Sequence, residues 1–384
     1  MFATEALFAT DALDVSVVMP CLNEQDSVGA CVQKAQGWLA SSGLRGEILV
    51  VDNGSTDRSV EVATAAGATV VHEKKRGYGN AYRRGFAEAR GRRIVMGDSD
   101  DTYDFGDLTG LLAPLDQGYD LVLGNRFSGG IERGAMPWAH RYIGSPIINS
   151  LIRLFYGIQI GDSQSGFRAF TKTAYDALGL RGTGMELASE MIVRAANNGL
   201  RITEVPAHYS PRVGESKLNT VRDGWRHLRF LLLAAPNFLF ILPGALLFLL
   251  GVLTLAVSFL FPQGLEVGSM NWQPVFAGTI LLAIGANALV FGIIAKLYGC
   301  ARGLLHEDVW VRLYRKYFRL ESLLALAGAL ILCGLVVDLA LLFVWASGSQ
   351  VAYGLQLAAL AQSLLIVGAD LAMAGFLVVI VDTA

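Results

Sequence analysis

The order of apolar and polar positions divides the chain in two. Up to about residue 230, short apolar stretches alternate with amphipathic ones and charges are mixed throughout; from residue 231 onward, long uncharged runs take over. In the first region Val15-Ser16-Val17-Val18-Met19-Pro20 predicts a strand. Residues 21–40 then bring Val28, Cys31, Val32, Ala35 and Leu39 to helical spacing. Residues 47–52 predict a second strand, and Asn53-Gly54-Ser55-Thr56-Asp57 after it forms a turn with candidate helix caps. A helix over 59–66, a strand over 68–72, a helix over 79–89 and a strand over 93–96 complete the series. Such alternation predicts an α/β domain with a mainly parallel sheet covered by helices on both faces. Ligands of such sheets bind beyond the carboxyl ends of the strands.

The second region contains four apolar runs, 231–261, 275–295, 323–345 and 352–381. Each is long enough to cross a hydrocarbon core of roughly 30 Å, which takes about 20 residues. Four in succession leave almost no polar face for a soluble helical domain, so the pattern predicts a domain over 1–230 and a four-helix transmembrane region over 231–384. Arg302, Arg312, Arg315, Lys316 and Arg319 lie between the second and third runs, and Arg222, Arg226 and Arg229 precede the first. The other two connections carry no Lys or Arg. This asymmetry places the first domain and both chain ends in the cytosol, at the plasma membrane if the chain is prokaryotic. The first fifteen residues lack the basic and apolar segments of a signal peptide, in keeping with that orientation.

Composition changes this picture little. The 53% apolar content and mean hydropathy of +0.45 reflect the second region. The net charge of −2 favours no partner by itself, and no nucleic-acid partner is expected. Cys21, Cys31, Cys300 and Cys333 have neither metal-site nor disulfide-framework spacing, and buried free thiols are expected.

The candidate chemistry gathers at strand ends. MGDSDDTYDF puts Asp98, Asp100, Asp101 and Asp104 within seven residues after the fourth strand. Unpaired carboxylates this close repel one another and are costly to bury, so a positive partner is expected there. Asp52 ends the second strand and lies at the same edge. A Rossmann dinucleotide site fits badly, because the first turn, Pro20-Cys21-Leu22-Asn23-Glu24, has no GxGxxG and its acidic surroundings repel a pyrophosphate unless a cation intervenes.

That turn, VVDNGSTDRS at 50–59 and Gly97-Asp98-Ser99-Asp100 resemble the family 2 inverting glycosyltransferases with the GT-A fold. Gly124-Asn125-Arg126-Phe127, Ser165-Gly166-Phe167-Arg168 and the stretch from Tyr209 through Arg212 and Lys217 to Leu218 extend the likeness to polyprenyl-phosphate glycosyltransferases of the dolichyl-phosphate mannose synthase type. The likeness covers roughly residues 15–218. It implies transfer of a hexose from a UDP- or GDP-sugar to a dolichyl or undecaprenyl phosphate, with inversion, at the lipid bilayer. It also implies a divalent metal, Mg²⁺ or Mn²⁺, at Asp98 and Asp100 within a DxD-like motif. Pro20, Asn23, Glu24, Asp52 and Asp98 are implied to line the nucleotide, and Arg126, Arg212, Lys217 and Arg168 to hold the acceptor phosphate, with Asp98, Asp100 and Arg126 catalytic. The family often has Gln near Thr102 or Tyr103, and this chain departs from that version.

Other readings of these residues stay open. Asn23 and Glu24 also stand where helix capping is expected, and each cation also fits a solvated charge or an ion pair. Asp101 and Asp104 fit turn caps or surface pairs, and Asp162 and Gln164 precede the Ser165 element as organisers of an acceptor site. Residues 139–156 suit either the bilayer surface or packing on the sheet. Asp338 and Asp370, inside apolar runs, meet across the bundle or lie near its aqueous boundary, and the membrane helices offer a route to a homo-oligomer. A transferase acting on a lipid or glycan hydroxyl is the enzymatic alternative, although a processive one lacks its expected QxxRW-like signature here. A non-catalytic membrane scaffold or transport component is the other alternative, against which the intact acidic and basic motifs weigh.

Overall fold

The computed structural model describes residues 13–383 except 215–219, 302, 306, 318 and 350. It divides into two compact units, Met1–Leu231 and Leu232–Ala384. In the first, seven strands form one sheet: β1 (Val15–Cys21), β2 (Gly46–Asp52), β3 (Thr69–His72), β4 (Arg93–Met96), β5 (Leu121–Asn125), β6 (Arg168–Thr171) and β7 (Ile202–Pro206). Their order is β3-β2-β1-β4-β6-β5-β7. The first four run parallel in the register Val17↔Ile48 and Val17↔Val95, and β5 pairs parallel with β7. Only β6 runs antiparallel, to β4 and β5. A short reversed strand in an otherwise parallel sheet leaves no trace in the apolar alternation.

The helices of this unit are α1 (Val28–Ser42), α2 (Ser59–Ala65), α3 (Tyr78–Glu88), α4 (Thr109–Asp116), α5 (Arg126–Gly129), α6 (Ser145–Tyr156), α7 (Lys172–Leu178), α8 (Leu187–Asn197) and α9 (Thr220–Leu233). One core cluster joins Val17, Met19, Val50, Val95 and Val122 of the sheet to Val28, Cys31, Val32 and Ala35 of α1 and Leu111, Leu112 and Leu115 of α4. On the opposite face α3 lies close against β1 and β2: a Cβ on Gly85 would stand 2.4 Å from Val18 Cγ1 and 2.8 Å from Val51 Cγ2. Strands covered on both faces read as continuous apolar runs, as β1 and β2 do.

The second unit holds α10 (Leu242–Leu260), α11 (Pro274–Ala301), α12 (Val309–Tyr317), α13 (Leu320–Ala346) and α14 (Gly354–Thr383), with a hairpin of β8 (Leu265–Val267) and β9 (Met270–Trp272). Among the described residues, four stretches are long and apolar enough to span a membrane: Asn237–Leu260, Pro274–Ala301, Leu320–Ala346 and Gly354–Val381. The chain is accordingly a multi-pass membrane protein. The first span begins later than the apolar run because Pro236 separates it from α9. Backbones approach closely here: a Cβ on Gly251 would sit 2.4 Å from the Leu282 nitrogen, and one on Gly285 2.3 Å from the Phe248 nitrogen. Asp370 accepts a 2.7 Å hydrogen bond from Asn287 Nδ2, an Asn–Asp bridge between α11 and α14. Lys296 pairs with Asp308 at the end of α11. All four cysteines are free, and Cys21 and Cys31 are buried as expected. Cys300 is half-buried and Cys333 exposed, because a spanning helix turns apolar side chains outward as readily as inward.

Candidate active site

Parallel alignment brings the carboxyl ends of β1, β2 and β4 side by side, and three loops are tied together there. Asn23 takes a left-handed backbone (φ 52°), donates its N–H to Ser55 Oγ at 3.0 Å and accepts from the Thr56 N–H at 2.7 Å through Oδ1. Glu24 donates its N–H to Ser59 Oγ at 2.7 Å. These bonds join the β1 loop to the β2 loop, whereas Ser27, preceding α1, makes no capping hydrogen bond. Asp57 accepts from the Ser59 N–H at 3.0 Å, as a cap at the start of α2. The Pro20 carbonyl accepts from Ser99 Oγ at 2.7 Å, fixing the β4 loop to β1.

Asp52 is buried, with Oδ1 2.9 Å from the Ser55 N–H and Oδ2 3.2 Å from both the Gly54 N–H and His72 Nδ1. Burial pushes its carboxyl up, but the hydrogen bonds from Ser55, His72 and Gly54 outweigh it and leave the group below its ordinary range. Asn53 beside it accepts from the Gly77 N–H at 2.7 Å and donates to the Glu73 and Lys75 carbonyls, both at 2.9 Å. It fixes the loop leading to α3. Sequence reasoning passed over Asn53 and His72 because their partners lie some twenty residues away.

The four carboxylates of the opening acidic stretch separate into roles. Asp98 is half-buried and accepts from Tyr82 Oη at 3.1 Å. A Cβ on Gly166 would lie 2.8 Å from its Oδ2, so a bare glycine is needed beside it. Burial and then the charge of Asp100 push Asp98 up to about 7, against the pull of Tyr78, Tyr82 and Arg212. Asp100 is buried. Its Oδ1 receives the Thr102 hydroxyl at 2.6 Å, and its Oδ2 lies 3.6 Å from Arg212 Nη1. Arg212 Nη2 donates to Glu24 Oε1 at 2.5 Å. Its segment is held by Ser210 N–H to Thr102 O and Val213 N–H to Asp100 O. The positive partner that the acidic stretch calls for is thus at hand within the chain. Among the described residues, Arg212 Nε is buried with no hydrogen-bond partner. Asp101 pairs with Lys34 at 2.7 Å, and Asp104 caps its own turn through the Gly106 N–H, so both take structural roles.

The remaining cations behave differently. Arg126 is buried in a two-pronged pair with Asp162, Nε to Oδ2 at 2.7 Å and Nη2 to Oδ1 at 2.9 Å, and its guanidinium lies 5.0 Å from the Tyr209 ring centre. Arg168 is fully buried, and its nitrogens donate to the carbonyls of Ser165, Ala188 and Ser163 at 2.7–2.9 Å. The expected acceptor contact at Arg168 gives way to a structural one: the side chain clasps the 163–166 loop and has no surface for a phosphate. Lys217 lies outside the described residues. Gln164 donates to Ser163 Oγ and Ser189 Oγ, and Ser189 meets His227 Nδ1 at 2.9 Å. Burial pushes His227 down to about 4. A buried polar chain therefore runs from α9 to the loop that holds Arg126, and only the folded chain brings its members together.

Among the described residues no three His, Cys, Asp or Glu side chains gather as a complete metal cage. Asp98 and Asp100 still suit a hard divalent ion of the kind that binds through one or two carboxylates and takes its other ligands from phosphates and water.

The Glycosyl transferase family 2 profile matches residues 16–179, and the profile of the glycosyltransferase family 2 C-terminal transmembrane region matches 293–382. The low-salt glycan biosynthesis hexosyltransferase Agl6 of Haloferax volcanii is 37% identical over 348 residues, covering 89% of this chain and 83% of its own. The dolichyl-phosphate hexose transferase of the same organism is 33% identical over 212 residues, covering 55% of this chain and 89% of its own. Among solved structures, the glucosyl-3-phosphoglycerate synthase of Mycobacterium tuberculosis aligns with a TM-score of 0.47 at 22% identity, over 57% of this chain and 79% of that one.

Proposed function

The chain belongs to glycosyltransferase family 2, whose inverting hexosyl transfer from a nucleoside-diphosphate sugar is its activity, and from that premise we propose that its acceptor is a polyprenyl phosphate at the cytosolic face of the membrane. The observation that carries this reading is the convergence of Glu24, Asp98, Asp100 and Arg212 at the strand ends of a chain that also carries four membrane spans.

Pro20, Asn23 and Glu24 line the nucleotide, and Asp52 faces the base. Asp98 and Asp100 would hold Mg²⁺ or Mn²⁺, an ion that would supply stabilisation of the negative charge on the departing nucleotide. The acceptor phosphate oxygen attacks the anomeric carbon from the face opposite the leaving group, which inverts the configuration. A phosphate is already anionic, so no general base is required. Cations are required instead. Arg212 and Lys217 contact phosphate, and Arg126, held by Asp162, shapes the wall through Tyr209.

The bilayer supplies the acceptor. Trp138, Tyr142, Ile143, Ile147 and Leu154 are exposed, while Ile148, Asn149 and Ile152 of α6 face inward. On α9, Arg222, Trp225, Arg226 and Arg229 are exposed above buried Asp223 and His227. Apolar and basic faces of this kind suit acyl chains and anionic headgroups. Tyr156 at the end of α6 donates to the Leu231 carbonyl at 3.4 Å, tying the two helices just ahead of the first span.

The test is a donor screen with purified protein, polyprenyl phosphate and a divalent ion, read by mass spectrometry of the lipid product. A polyprenyl-phosphate monosaccharide is expected. Asp100→Asn is expected to lower its formation by about 10³-fold or more while folding is retained. Near-normal metal-dependent transfer by that variant refutes the assignment of Asp100, and transfer to hydroxyl acceptors alone refutes the lipid phosphate.

A further inference from the structure

The chain crosses the membrane twice before it reaches α12, so this helix lies on the side from which the first span starts. Its sequence, VWVRLYRKY, holds cations and no carboxylate. At 3.6 residues per turn its side chains fall into three sectors, where an ordinary amphipathic helix has two. Val311 and Tyr314 are buried in one cluster with Leu297 of α11, Leu323 of α13 and Val378 of α14, so α12 caps the ends of three spans. Val309, Trp310, Leu313 and Tyr317 make the second sector and are exposed, Trp310 to 62%. Arg312, Arg315 and Lys316 make the third, and all are exposed. The two acids just ahead of the helix are engaged: Asp308 with Lys296, which is buried in α11, and Glu307 with Arg315. Among the described ion pairs no acid offsets Arg312 or Lys316.

An apolar strip of this kind is costly in water, and here it stands at the rim of a bundle of spans. The boundary of a bilayer accepts both outer sectors. Rings and aliphatic chains enter below the headgroups, while long cationic side chains reach up to the phosphates. We infer that α12 is a binding site for anionic phospholipid: its apolar sector inserts at the acyl boundary, and Arg312, Arg315 and Lys316 hold the headgroups. A zwitterionic lipid offers the same acyl boundary but carries a cation beside each phosphate, so the basic sector supplies the preference. The occupant is the bulk anionic lipid of that leaflet, because cations spread along one side of a helix read charge density and not the shape of a single headgroup. The inference is independent of the acceptor reading above.

The experiment uses the full-length protein in nanodiscs of phosphatidylcholine and phosphatidylglycerol, with bromine on the acyl chains of one lipid at a time. Trp310 is isolated as the fluorescence difference between the wild type and Trp310→Phe. Both brominated lipids are expected to quench it, phosphatidylglycerol about twofold or more strongly at equal mole fraction. In about 1 M NaCl, where charges are screened beyond about 3 Å, that ratio is expected to fall towards one. It is expected to do the same in R312Q/R315Q/K316Q, with quenching itself retained. Absence of quenching by either lipid overturns the insertion and gives the apolar sector to a protein surface, the catalytic unit's or a second copy's. Equal quenching in the wild type overturns the headgroup preference, and so does a ratio that survives high salt or the triple substitution. Polyprenyl phosphate that abolishes the phosphatidylglycerol effect at a small fraction of its concentration overturns bulk lipid as the occupant.

Discussion

The two units meet the same requirement, close packing, with opposite chemistry. In the catalytic unit, bulky strand residues such as Val17, Met19 and Val95 are buried beneath amphipathic helices, and water supplies the driving force. In the membrane unit lipid tails are as apolar as the helices, so association depends on backbones coming near. Gly244 and Gly251 on α10, and Gly278, Gly285 and Gly292 on α11, recur at intervals of seven and admit the partner helix. Charge is handled differently too. The catalytic unit buries arginines and carboxylates in pairs, while the spans join Asn287 to Asp370 and bury Lys296, paired with Asp308, near the end of α11. Substitutions of one kind should therefore damage one unit and spare the other.

The largest expected effect is at Arg168. Arg168→Met leaves three buried carbonyls without their donor, at a cost of about 3–5 kcal/mol. Denaturant unfolding of the catalytic unit should show the loss while the helical signal of the spans persists; an effect confined to the KM for the lipid acceptor would return Arg168 to the phosphate.

The acidic pocket gives the catalytic unit a pH dependence of its own. Asp98, ordinarily near 3.8, is pushed up to about 7 by burial and by Asp100. Between those values the folded chain binds more protons than the unfolded one. Its contribution to stability is therefore full below about pH 4 and lost as the pH rises through 7. Thermal unfolding without divalent ions should follow that slope, and Asp98→Asn should flatten it.

A smaller effect is expected in the spans. Gly285→Leu forces a side chain into the Phe248 backbone and should cost about 1–3 kcal/mol, read as lower thermal stability in detergent. Nucleotide binding should persist; its disappearance would mean that the units do not fail independently. Asp370→Asn should have the smallest effect, because an amide can still bond to Asn287; a change of under about 1 kcal/mol is expected in the same assay.

The same contrast explains what was legible in the sequence. The ends of β1 to β4 fall within about two residues of the apolar pattern because strand and turn chemistry is local. Asp52, Asp98 and Asp100 stand out because carboxylates after apolar strands are conspicuous. The direction of β6 depends on which strands flank it, and no local signal carries that. Arg168 was misread because a buried cation and a ligand-binding cation look alike until their surroundings are known. Tyr82 carries no local signal of its bond to Asp98, which lies sixteen residues away. His72 and Asn53 acquire their roles through bonds to residues distant in sequence, as does the chain from Gln164 to His227.

The bare surface at Gly85 has a consequence for how sequence changes will be felt. Tyr82, whose hydroxyl reaches Asp98, stands one turn before Gly85 on the same buried face of α3. A methyl group at Gly85 would wedge the helix away from β1 and carry the tyrosine with it. The helix thus works as a lever, with its fulcrum in the hydrophobic layer and its tip on a carboxylate. Drift at a position that touches only valines would register as a change in donor chemistry.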